Sequence, residues 1–326
     1  MLAKISKIHI RRDQRIICIS DIHGEFDLLR RLLAKTNFCD DDLLILLGDI
    51  YTKGSQPHDT LKYCMQLSRQ SNVHILRGNS DWGNDEFLSE SEVKWLMDLP
   101  HIIESDEYIF VHSGLTSNDL KAQEAADCMK YDNFMELAPH FDKWVITGHW
   151  PVAAYCHEIP CHNPIINEEK RIIAIDGGNV MAPDGQLNAF IIQNGCFSHM
   201  SVDNLPVYTV KKTQRKSGGS INITWPDGIV EIEKEDGEFC RIKHLRTGKT
   251  VTVPKSQIKK DHAGHTRVWD LATDYHLPCS AGETVSLVEV FADRVYAKKN
   301  GVSGWIEIGT GMHTDLLGLQ EDICKI

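Results

Sequence analysis

Polar side chains follow six short apolar segments of the sequence, each at the point where the segment ends. The stretches are ICISDIHG, LILLGD, HILRGN, YIFVH, WVITGH and IIAIDGG. A single Asp, Asn or His in such a place is usually a turn or cap residue. Six such residues in order predict instead that their side chains converge on one crevice. In open α/β sheets, ligands bind beyond the carboxyl ends of the strands.

The residue types in this series favour metal chemistry. Carboxylate and amide oxygens together with imidazole nitrogens suit Mn²⁺, Fe²⁺ or Zn²⁺. Two Asp, one Asn and three His are enough for two ions that share one carboxylate. We therefore predict a site for two divalent ions, with Mn²⁺ preferred over Fe²⁺ or Zn²⁺, and with the ligands Asp21, His23, Asp49, Asn79, His112 and His149.

The elements around these residues divide the chain into two kinds of structure. Up to about residue 205, apolar runs alternate with amphipathic stretches such as FDLLRRLLAK and DTLKYCMQLSRQ, which is typical of a layered α/β domain. Beyond it, short alternating runs joined by PDG, DGE and TGK turns predict small all-β barrels. The predicted division is a catalytic domain (1–205), a Gly/Ser-containing linker (206–220), a small barrel (221–260) and a second barrel (261–326).

Composition excludes several classes of protein. With 326 residues, 42% hydrophobic and 25% charged, the chain is an ordinary globular protein, and no stretch approaches the roughly 20 apolar residues of a membrane span. The net charge of -11 arises before residue 206, so we do not expect a nucleic-acid partner. Its ten cysteines are mostly scattered singly through apolar segments, which indicates reduced thiols and a cytoplasmic location.

The ordered series DIHG, GDIYTKG, RGNSD, VHSGL, TGHWP and IDGGN resembles the calcineurin-like metallophosphoesterases over about residues 15 to 195. The likeness is to the phosphoprotein phosphatase type and its bacterial relatives, which include diadenosine tetraphosphatases. The phosphodiesterase branch ends in GH-x-H, whereas here Trp150 and Pro151 follow His149. The resemblance implies a mixed α/β (α+β) fold in which helices flank a β-sandwich.

The resemblance also implies a role for each predicted ligand. Asp21 and His23 correspond to ligands of the first metal, Asp49 to the carboxylate that bridges both metals, and Asn79, His112 and His149 to ligands of the second. The two ions would lower the pKa of a bridging water and so supply the hydroxide that attacks phosphorus. Asp176 would orient a ligand histidine or touch a metal directly, and the alternative is a turn that needs only its glycines.

Two motifs depart from this family. The phosphatase pattern GD-x-x-DRG carries an Asp and an Arg that grips phosphate, but here those positions hold Thr52 and Lys53. Lysine keeps the charge without the bidentate fork. The family motif GNHE supplies a His that pairs with the missing Asp and protonates the leaving oxygen, but here Ser80 and Asp81 replace its last two residues. The general-acid dyad is therefore absent as a pair.

These observations lead to a functional prediction. We predict a metal-dependent hydrolase of phosphomonoesters, in a phosphorylated protein or small molecule, that favours good leaving groups because general-acid catalysis is worth about 10² to 10⁴ in rate. A phosphodiesterase or dinucleotide polyphosphate hydrolase is one alternative, and a degenerate domain that acts as a scaffold is another. The predicted catalytic residues are Asp49, Ser80 and Asp81. The predicted substrate contacts are Lys53, Asn79 and Arg77, although Arg77 is as well suited to a structural pair with a carboxylate.

Two further segments invite weaker interpretations. The stretch AGETVSLVEVFADRVYAKKNGVSGWIEI resembles a bacterial SH3-like domain, which implies a peptide or protein partner or a packing module. The segment CHEIPCH at 156 to 162 repeats Cys-His five residues apart and could clamp Zn²⁺, but it lacks the usual CxxC spacing, and a loop with incidental thiols is the alternative.

Overall fold

The computed structural model describes residues 1–291 and 293–308. The last part of the predicted SH3-like domain, residues 309–326, lies outside them. The described chain forms two compact units. Unit 1 consists of residues 1–152, 163–181 and 185–203, and unit 2 takes the remaining described segments, 153–162, 182–184 and 204 onward.

Unit 1 contains two sheets. Its strands are β1 (Ile5–Lys7), β2 (Ile16–Ile19), β3 (Leu43–Leu46), β4 (Val73–Ile75), β5 (Ile102–Glu104), β6 (Tyr108–Val111), β7 (Trp144–Thr147), β8 (Ile165–Asn167), β9 (Ile172–Ala174), β10 (Leu187–Gln193) and β11 (Cys196–Val202). The first sheet has the order β11-β10-β2-β3-β4, and the second has the order β1-β5-β6-β7-β9-β8. Strands β2, β3 and β4 are parallel to one another, as are β6, β7 and β9.

The helices of unit 1 are α1 (Phe26–Lys35), α2 (Pro57–Leu67), α3 (Glu90–Asp98), α4 (Ala125–Met129) and α5 (Phe134–Leu137). Short 3₁₀ helices occur at Leu120–Ala122 and Val152–Tyr155, and two more, Trp225–Asp227 and Lys255–Gln257, occur in unit 2. Because parallel strands need a crossover, α1 connects β2 to β3 and α2 connects β3 to β4. None of the helices in the described part of the chain combines the length and apolarity that a membrane crossing requires.

The alternation of side chains along β2 shows how the layers pack. Ile17 and Ile19 lie in an apolar cluster with the leucines of α1, whereas Ile16 and Cys18 lie in a second cluster with residues of β5, β6, β7 and β9. Successive strand residues point to opposite faces, so both faces of this sheet are covered. The resulting order of layers is helices, first sheet and second sheet, and this agrees with the sandwich that the sequence predicts.

Unit 2 is all-β. Its strands are β12 (Val207–Thr209), β13 (Asn222–Thr224), β14 (Val230–Asp236), β15 (Phe239–His244), β16 (Thr250–Pro254), β17 (Ile258–Lys260), β18 (Thr266–Val268), β19 (Leu271–Thr273), β20 (Thr284–Val290), β21 (Arg294–Lys299) and β22 (Val302–Glu307). All its ladders are antiparallel, in the orders β12-β20-β21-β22, β14-β15-β16, β13-β19 and β17-β18.

Strand pairing in unit 2 differs from the predicted division at two places. The predicted linker contains β12, which pairs with β20. The boundary predicted at residue 260 is crossed by the pairing of β17 with β18 and of β13 with β19. Turn residues mark where strands end, but they do not show which strands pair, because pairing is decided by apolar faces distant in sequence. The SH3-like assignment itself stays a prediction.

Candidate metal centre

The six predicted ligands come from loops at the carboxyl ends of strands in both sheets of unit 1. The loops after β2, β3 and β4 carry the ligands Asp21, His23, Asp49 and Asn79. The loops after β6 and β7 carry His112 and His149. Two packed sheets therefore contribute to one cluster, with parallel strands on each side delivering their ends to the same edge.

The first part of the cluster consists of Asp21, His23 and Asp49. His23 Nε2 lies 3.9 Å from Asp21 Oδ1 and 3.7 Å from Asp49 Oδ2. All three side chains are buried. These separations are too long for direct hydrogen bonds, and His23 Nδ1 has no hydrogen-bond partner among the described residues. Neither ring nitrogen of this buried imidazole is therefore satisfied, which is the condition of a ligand facing a position for a cation.

The second part consists of Asn79, His112 and His149, and it meets the first at Asp49. His112 Nε2 lies 3.4 Å from Asp49 Oδ1 and 3.0 Å from Asn79 Oδ1. The same Asn79 atom lies 2.7 Å from His149 Nδ1. Ligand atoms of Asp21, Asp49 and His112 fall within 4.8 Å of one another.

The donor set of this cluster fits a divalent cation. His112 Nδ1 lies 2.8 Å from the carbonyl oxygen of Leu47, so in a neutral ring Nδ1 carries the proton and Nε2 is a bare acceptor. That acceptor faces an Asp49 carboxylate oxygen and the end of the Asn79 amide, whose nitrogen rather than its oxygen would satisfy the imidazoles without a cation. His149 is similar, because its Nε2 lies 2.8 Å from an Asp132 carboxylate oxygen and its Nδ1 faces Asn79. Acceptors that converge without a donor are stabilised by a cation, and oxygen with imidazole nitrogen suits Mn²⁺, Fe²⁺ or Zn²⁺.

Burial and neighbouring charges shift the pKa values of the Asp and His side chains in the cluster. Burial, with the Asp49 charge adding to it, raises the pKa of Asp21 to about 7. Burial lowers the pKa of His23 to about 4 and also lowers the pKa of His149. Burial would raise the pKa of Asp49 too, but the nearby His112 and His23 and the bonds from Ser80 outweigh it, so the pKa of Asp49 lies below its usual value. Neutral imidazoles are the form that binds metal.

Four of the predicted ligands adopt backbone conformations that are rare for their residue type. Asp21, His23, Asp49 and His149 have φ angles of 56°, 50°, 52° and 66°, in the left-handed region. Such strain of order 1–3 kcal/mol per residue persists only where the surroundings hold it, and it clusters at functional sites. Close approach adds a further constraint, because a Cβ at Gly148 would overlap Ser20 Oγ and Asp21 Oδ2.

Several partners of the ligands were not predicted from the sequence. Asp132 holds His149, the Leu47 carbonyl holds His112, and Ser20 Oγ donates to Asp21 Oδ2 at 2.5 Å. Partners of this kind fix the tautomer and orientation of a metal ligand. Asp132 could not be found by the strand-end rule, because it lies between two short helices, α4 and α5, and no apolar run precedes it.

The predicted substrate-contact residues differ in where they lie. Lys53 Nζ is 3.4 Å from Met181 Sδ, and its charge contributes to lowering the pKa of His23, so the ammonium lies close to the cluster. Arg77 Nε donates to the main-chain oxygen of Asp81 at 3.3 Å. Its guanidinium has a structural partner, although this is a carbonyl and not the carboxylate considered from the sequence. The Thr52 hydroxyl oxygen is buried and has no hydrogen-bond partner among the described residues.

Asp81 and Asp176 are both buried carboxylates beside the cluster. The Asp81 oxygens accept the N–H groups of Gly78, Asp49 and Ile50 at 2.9–3.0 Å, and burial raises the pKa of this carboxyl to about 6. Asp176 Oδ1 accepts the N–H of Gly178 at 2.8 Å. Burial and the neighbouring Asp21 charge raise its pKa well above the usual value. Both side chains thus hold backbone around the cluster.

The segment CHEIPCH does not form a metal-binding group within the described part of the chain, where the cluster of Asp21, Asp49 and His112 is the group with suitable spacing. His162 instead lies 2.9 Å from the Asp184 carboxylate. Cys156 Sγ contacts the Cys161 carbonyl at 3.8 Å, and burial raises the pKa of this thiol to about 11, which keeps it protonated. The Zn²⁺ interpretation therefore finds no support.

Comparison with curated proteins finds two groups of relatives. A symmetrical bis(5'-nucleosyl)-tetraphosphatase of Vibrio parahaemolyticus is 30% identical over 117 residues, which is 30% of this chain and 44% of the relative. The serine/threonine-protein phosphatase PP1-delta of Caenorhabditis elegans is 35% identical over 68 residues, 20% of this chain and 22% of the relative. The chain spans less than half the length of these relatives.

Among solved structures, a protein serine/threonine phosphatase from Saccharomyces cerevisiae matches with a TM-score of 0.43 and 12% identity, over 63% of this chain and 85% of that one. The family model described as calcineurin-like phosphoesterase matches residues 14–177. That stretch includes every predicted metal ligand, and it makes up half of the sequence. The chain therefore belongs to the calcineurin-like phosphoesterase family.

Proposed function

We propose that the protein is a phosphohydrolase that depends on two divalent ions. The observation that carries this proposal is the convergence of six side chains that can present carboxylate, amide and imidazole acceptors to one place. Asp21, His23 and Asp49 would hold one ion, and Asp49, Asn79, His112 and His149 would hold the other. When bound, the ions supply an activated water and positive charge for the phosphoryl oxygens. Mn²⁺ is our proposed metal, with Fe²⁺ and Zn²⁺ as alternatives.

The remaining residues determine which substrates suit the site. Lys53 places an ammonium beside the cluster, where it would attract a phosphoryl group as a point charge without the two-point grip of an arginine. Thr52 and Ser80 occupy the positions of the family's acid dyad. A hydroxyl with an ordinary pKa is a poor proton donor to a leaving alkoxide, and the Ser80 hydroxyl already donates to Asp49 at 2.8 Å. The site therefore suits aryl phosphates and other esters with acidic leaving groups.

A second candidate substrate class is the dinucleotide polyphosphates. Their phosphoanhydride leaving group is itself acidic and needs little protonation, which matches the missing dyad. Several of the curated relatives are bis(5'-nucleosyl)-tetraphosphatases. Phosphodiester hydrolysis is a third candidate activity, and a scaffold role without turnover is a fourth. For unit 2 we propose a peptide or protein partner, and for the whole chain a cytoplasmic location.

One experiment separates these functions. The full chain is freed of metal, loaded with Mn²⁺, and assayed on aryl phosphates whose leaving-group pKa varies, on a phosphopeptide, on a dinucleotide polyphosphate and on a cyclic nucleotide. We expect Mn²⁺-dependent turnover and a steep fall in kcat/KM as the leaving-group pKa rises. If kcat/KM does not depend on the leaving-group pKa, another residue acts as the general acid. Bound metal with no turnover on any substrate would favour the scaffold role.

A further inference from the structure

The segment RGNSD, residues 77–81, surrounds the carboxylate that is predicted to be shared by the two metals. The Ser80 N–H donates to Asp49 Oδ1 at 2.8 Å, and the Ser80 hydroxyl donates to Asp49 Oδ2 at 2.8 Å. Gly78 has no room for a side chain, because a Cβ there would overlap Asp49 Oδ1. A single residue therefore supplies one hydrogen bond to each oxygen of this buried carboxylate.

These two bonds fix how the Asp49 carboxylate is turned. Each carboxylate oxygen has two lone-pair positions. Ser80 occupies one position on each oxygen, so one position on each remains for a cation. Rotation of the group would break both of these charge-assisted bonds.

The same hydroxyl can hold the Asn79 amide in the orientation that a cation needs. Without a cation the opposite orientation is satisfied, because the amide nitrogen would donate to both imidazoles and the oxygen would accept from Ser80 at 3.3 Å. The amide nitrogen Nδ2 lies 3.3 Å from Ser80 Oγ and can donate to it. That leaves Asn79 Oδ1 facing His112 Nε2 and His149 Nδ1, which is unfavourable alone and favourable around a cation.

Asp81 completes the arrangement from the backbone side. Asp49 has a left-handed φ of 52°, and its own N–H and that of Ile50 both donate to the Asp81 carboxylate. The Asp81 side chain is fully buried and has no free path to substrate. It stabilises the strained turn in which Asp49 sits.

We propose that Ser80 is a positioning residue for the second metal: it orients Asp49 and Asn79 together, and it does not protonate the leaving group. This inference rests on the proposed function, since it needs a protein that binds two ions. It revises the catalytic role that the motif alone predicts for Ser80 and assigns Asp81 to the same positioning role.

The test compares Ser80→Ala, Ser80→Thr and the control Ser105→Ala in the full chain. Ser105 is a buried serine of unit 1 whose hydroxyl donates to the Tyr108 carbonyl, away from the cluster. Mn²⁺ binding is measured by calorimetry on the metal-free protein, folding by circular dichroism and urea unfolding, and the leaving-group dependence with aryl phosphates at saturating Mn²⁺.

We expect Ser80→Ala to bind the second equivalent of Mn²⁺ about 10 to 100-fold more weakly, the range seen when a residue that orients a ligand is removed. The first equivalent should weaken less than the second, because Asp49 is shared but Asn79 belongs to the second ion only, and the leaving-group slope should stay as in the wild type. Ser80→Thr, which keeps the hydroxyl, should restore tight binding, and Ser105→Ala should not change it.

Two results would overturn the inference. Unchanged Mn²⁺ affinity with a steeper leaving-group slope in Ser80→Ala would identify Ser80 as a proton donor. Weak binding in both Ser80→Ala and Ser80→Thr, with a normal urea midpoint, would show that the hydroxyl is not the feature that matters. If the wild type binds no Mn²⁺, the inference and the proposed function fail together; if it binds two equivalents and Ser80→Ala does too with equal affinity, only the inference fails.

Discussion

Two buried groups of charged side chains in this protein are built in opposite ways. In unit 1, Asp21 and Asp49 lie beside imidazoles whose facing nitrogens are acceptors, and burial raises the pKa of Asp21 to about 7. In unit 2, Asp184 is paired with His162 at 2.9 Å and its main-chain oxygen accepts a bond from Lys298 Nζ at 2.9 Å. Although burial opposes it, the neighbouring His162 and Lys298 hold the pKa of Asp184 well below its usual range.

The contrast indicates what each group is for. A buried carboxylate costs several kcal/mol unless a partner compensates it. The Asp184 group contains Lys298 as its own cation and has His162 as a second neighbour. In the unit 1 group, imidazoles and Ser80 lower the pKa of Asp49, but the pKa of Asp21 stays raised. A bound cation would supply the positive charge that this group lacks. Burial alone therefore does not distinguish the two groups, whereas the presence of an internal counter-charge beside Asp184 does.

The strongest way to test this contrast is to neutralise the shared carboxylate. Asp49→Asn should lower kcat/KM by about 10³-fold or more, because metal-ion catalysis supplies several kcal/mol of transition-state stabilisation. The metal-free variant should nevertheless unfold with a free energy within about 1 kcal/mol of wild type, since removing one of two like charges offsets the weakened Ser80 bonds. Turnover and urea unfolding measure the two effects, with exposed Asp59→Asn as the control. A large loss of stability would contradict the contrast.

Neutralising Asp184 in unit 2 should lower the free energy of unfolding and leave turnover unchanged. Asp184→Asn removes the carboxylate that pairs with buried His162, and breaking a buried pair costs about 3–5 kcal/mol. Hydrogen exchange followed by mass spectrometry should show faster exchange in residues 294–308, while the Mn²⁺-loaded enzyme keeps its kcat. The matched control is Asp293→Asn, whose half-exposed pair with Arg294 should contribute less than about 1 kcal/mol. If Asp184→Asn and Asp293→Asn changed hydrogen exchange equally, the buried pair would not contribute more stability than the half-exposed one.

The two groups should also differ in the sign of their pH dependence. The folded pKa of Asp21 is raised above an unfolded value of about 3.9, so the metal-free folded state retains a proton that the unfolded state has lost. The contribution of Asp21 to the free energy of unfolding should therefore fall as pH rises from about 4 to 7. The lowered pKa of Asp184 contributes stability that is lost as pH falls below about 4. Because Asp81 and His23 also have shifted pKa values, urea unfolding across pH should show the Asp21 contribution as the difference between wild type and Asp21→Asn. Asp184→Asn should keep that contribution.

The sequence predicts the two-part architecture and the residues of the metal centre because both depend on local signals. The helix α1 coincides with the amphipathic stretch FDLLRRLLAK, and each predicted ligand follows a run of apolar residues that forms a strand. Strand ends gather at one edge whatever the sequence between them, which is why residue type at that edge predicts a cluster. That these residues bind metal, and which ion each binds, stays a prediction.

The remaining features depend on contacts between distant parts of the chain. Asp132 meets His149 across a loop with no pattern of its own, and Asp184 meets His162 from a turn that resembles any other PDG turn. The positioning role proposed for Ser80 could not be inferred from the motif either. Comparison with GNHE shows that the His is replaced, but it does not show which groups the Ser80 hydroxyl bonds. Strand pairing across residue 260 was missed for the same reason.

The composition of unit 2 has a consequence for synthesis. Residues 153–162 belong to it, and Cys161 forms a β-bridge with Val302, close to the other end of the described chain. A ribosome delivers the N-terminal partner long before the C-terminal one, and domains otherwise tend to form as they emerge. The segment after His149 therefore has no partner strand until Val302 has been added, so the nascent chain carries an incomplete all-β unit during that interval.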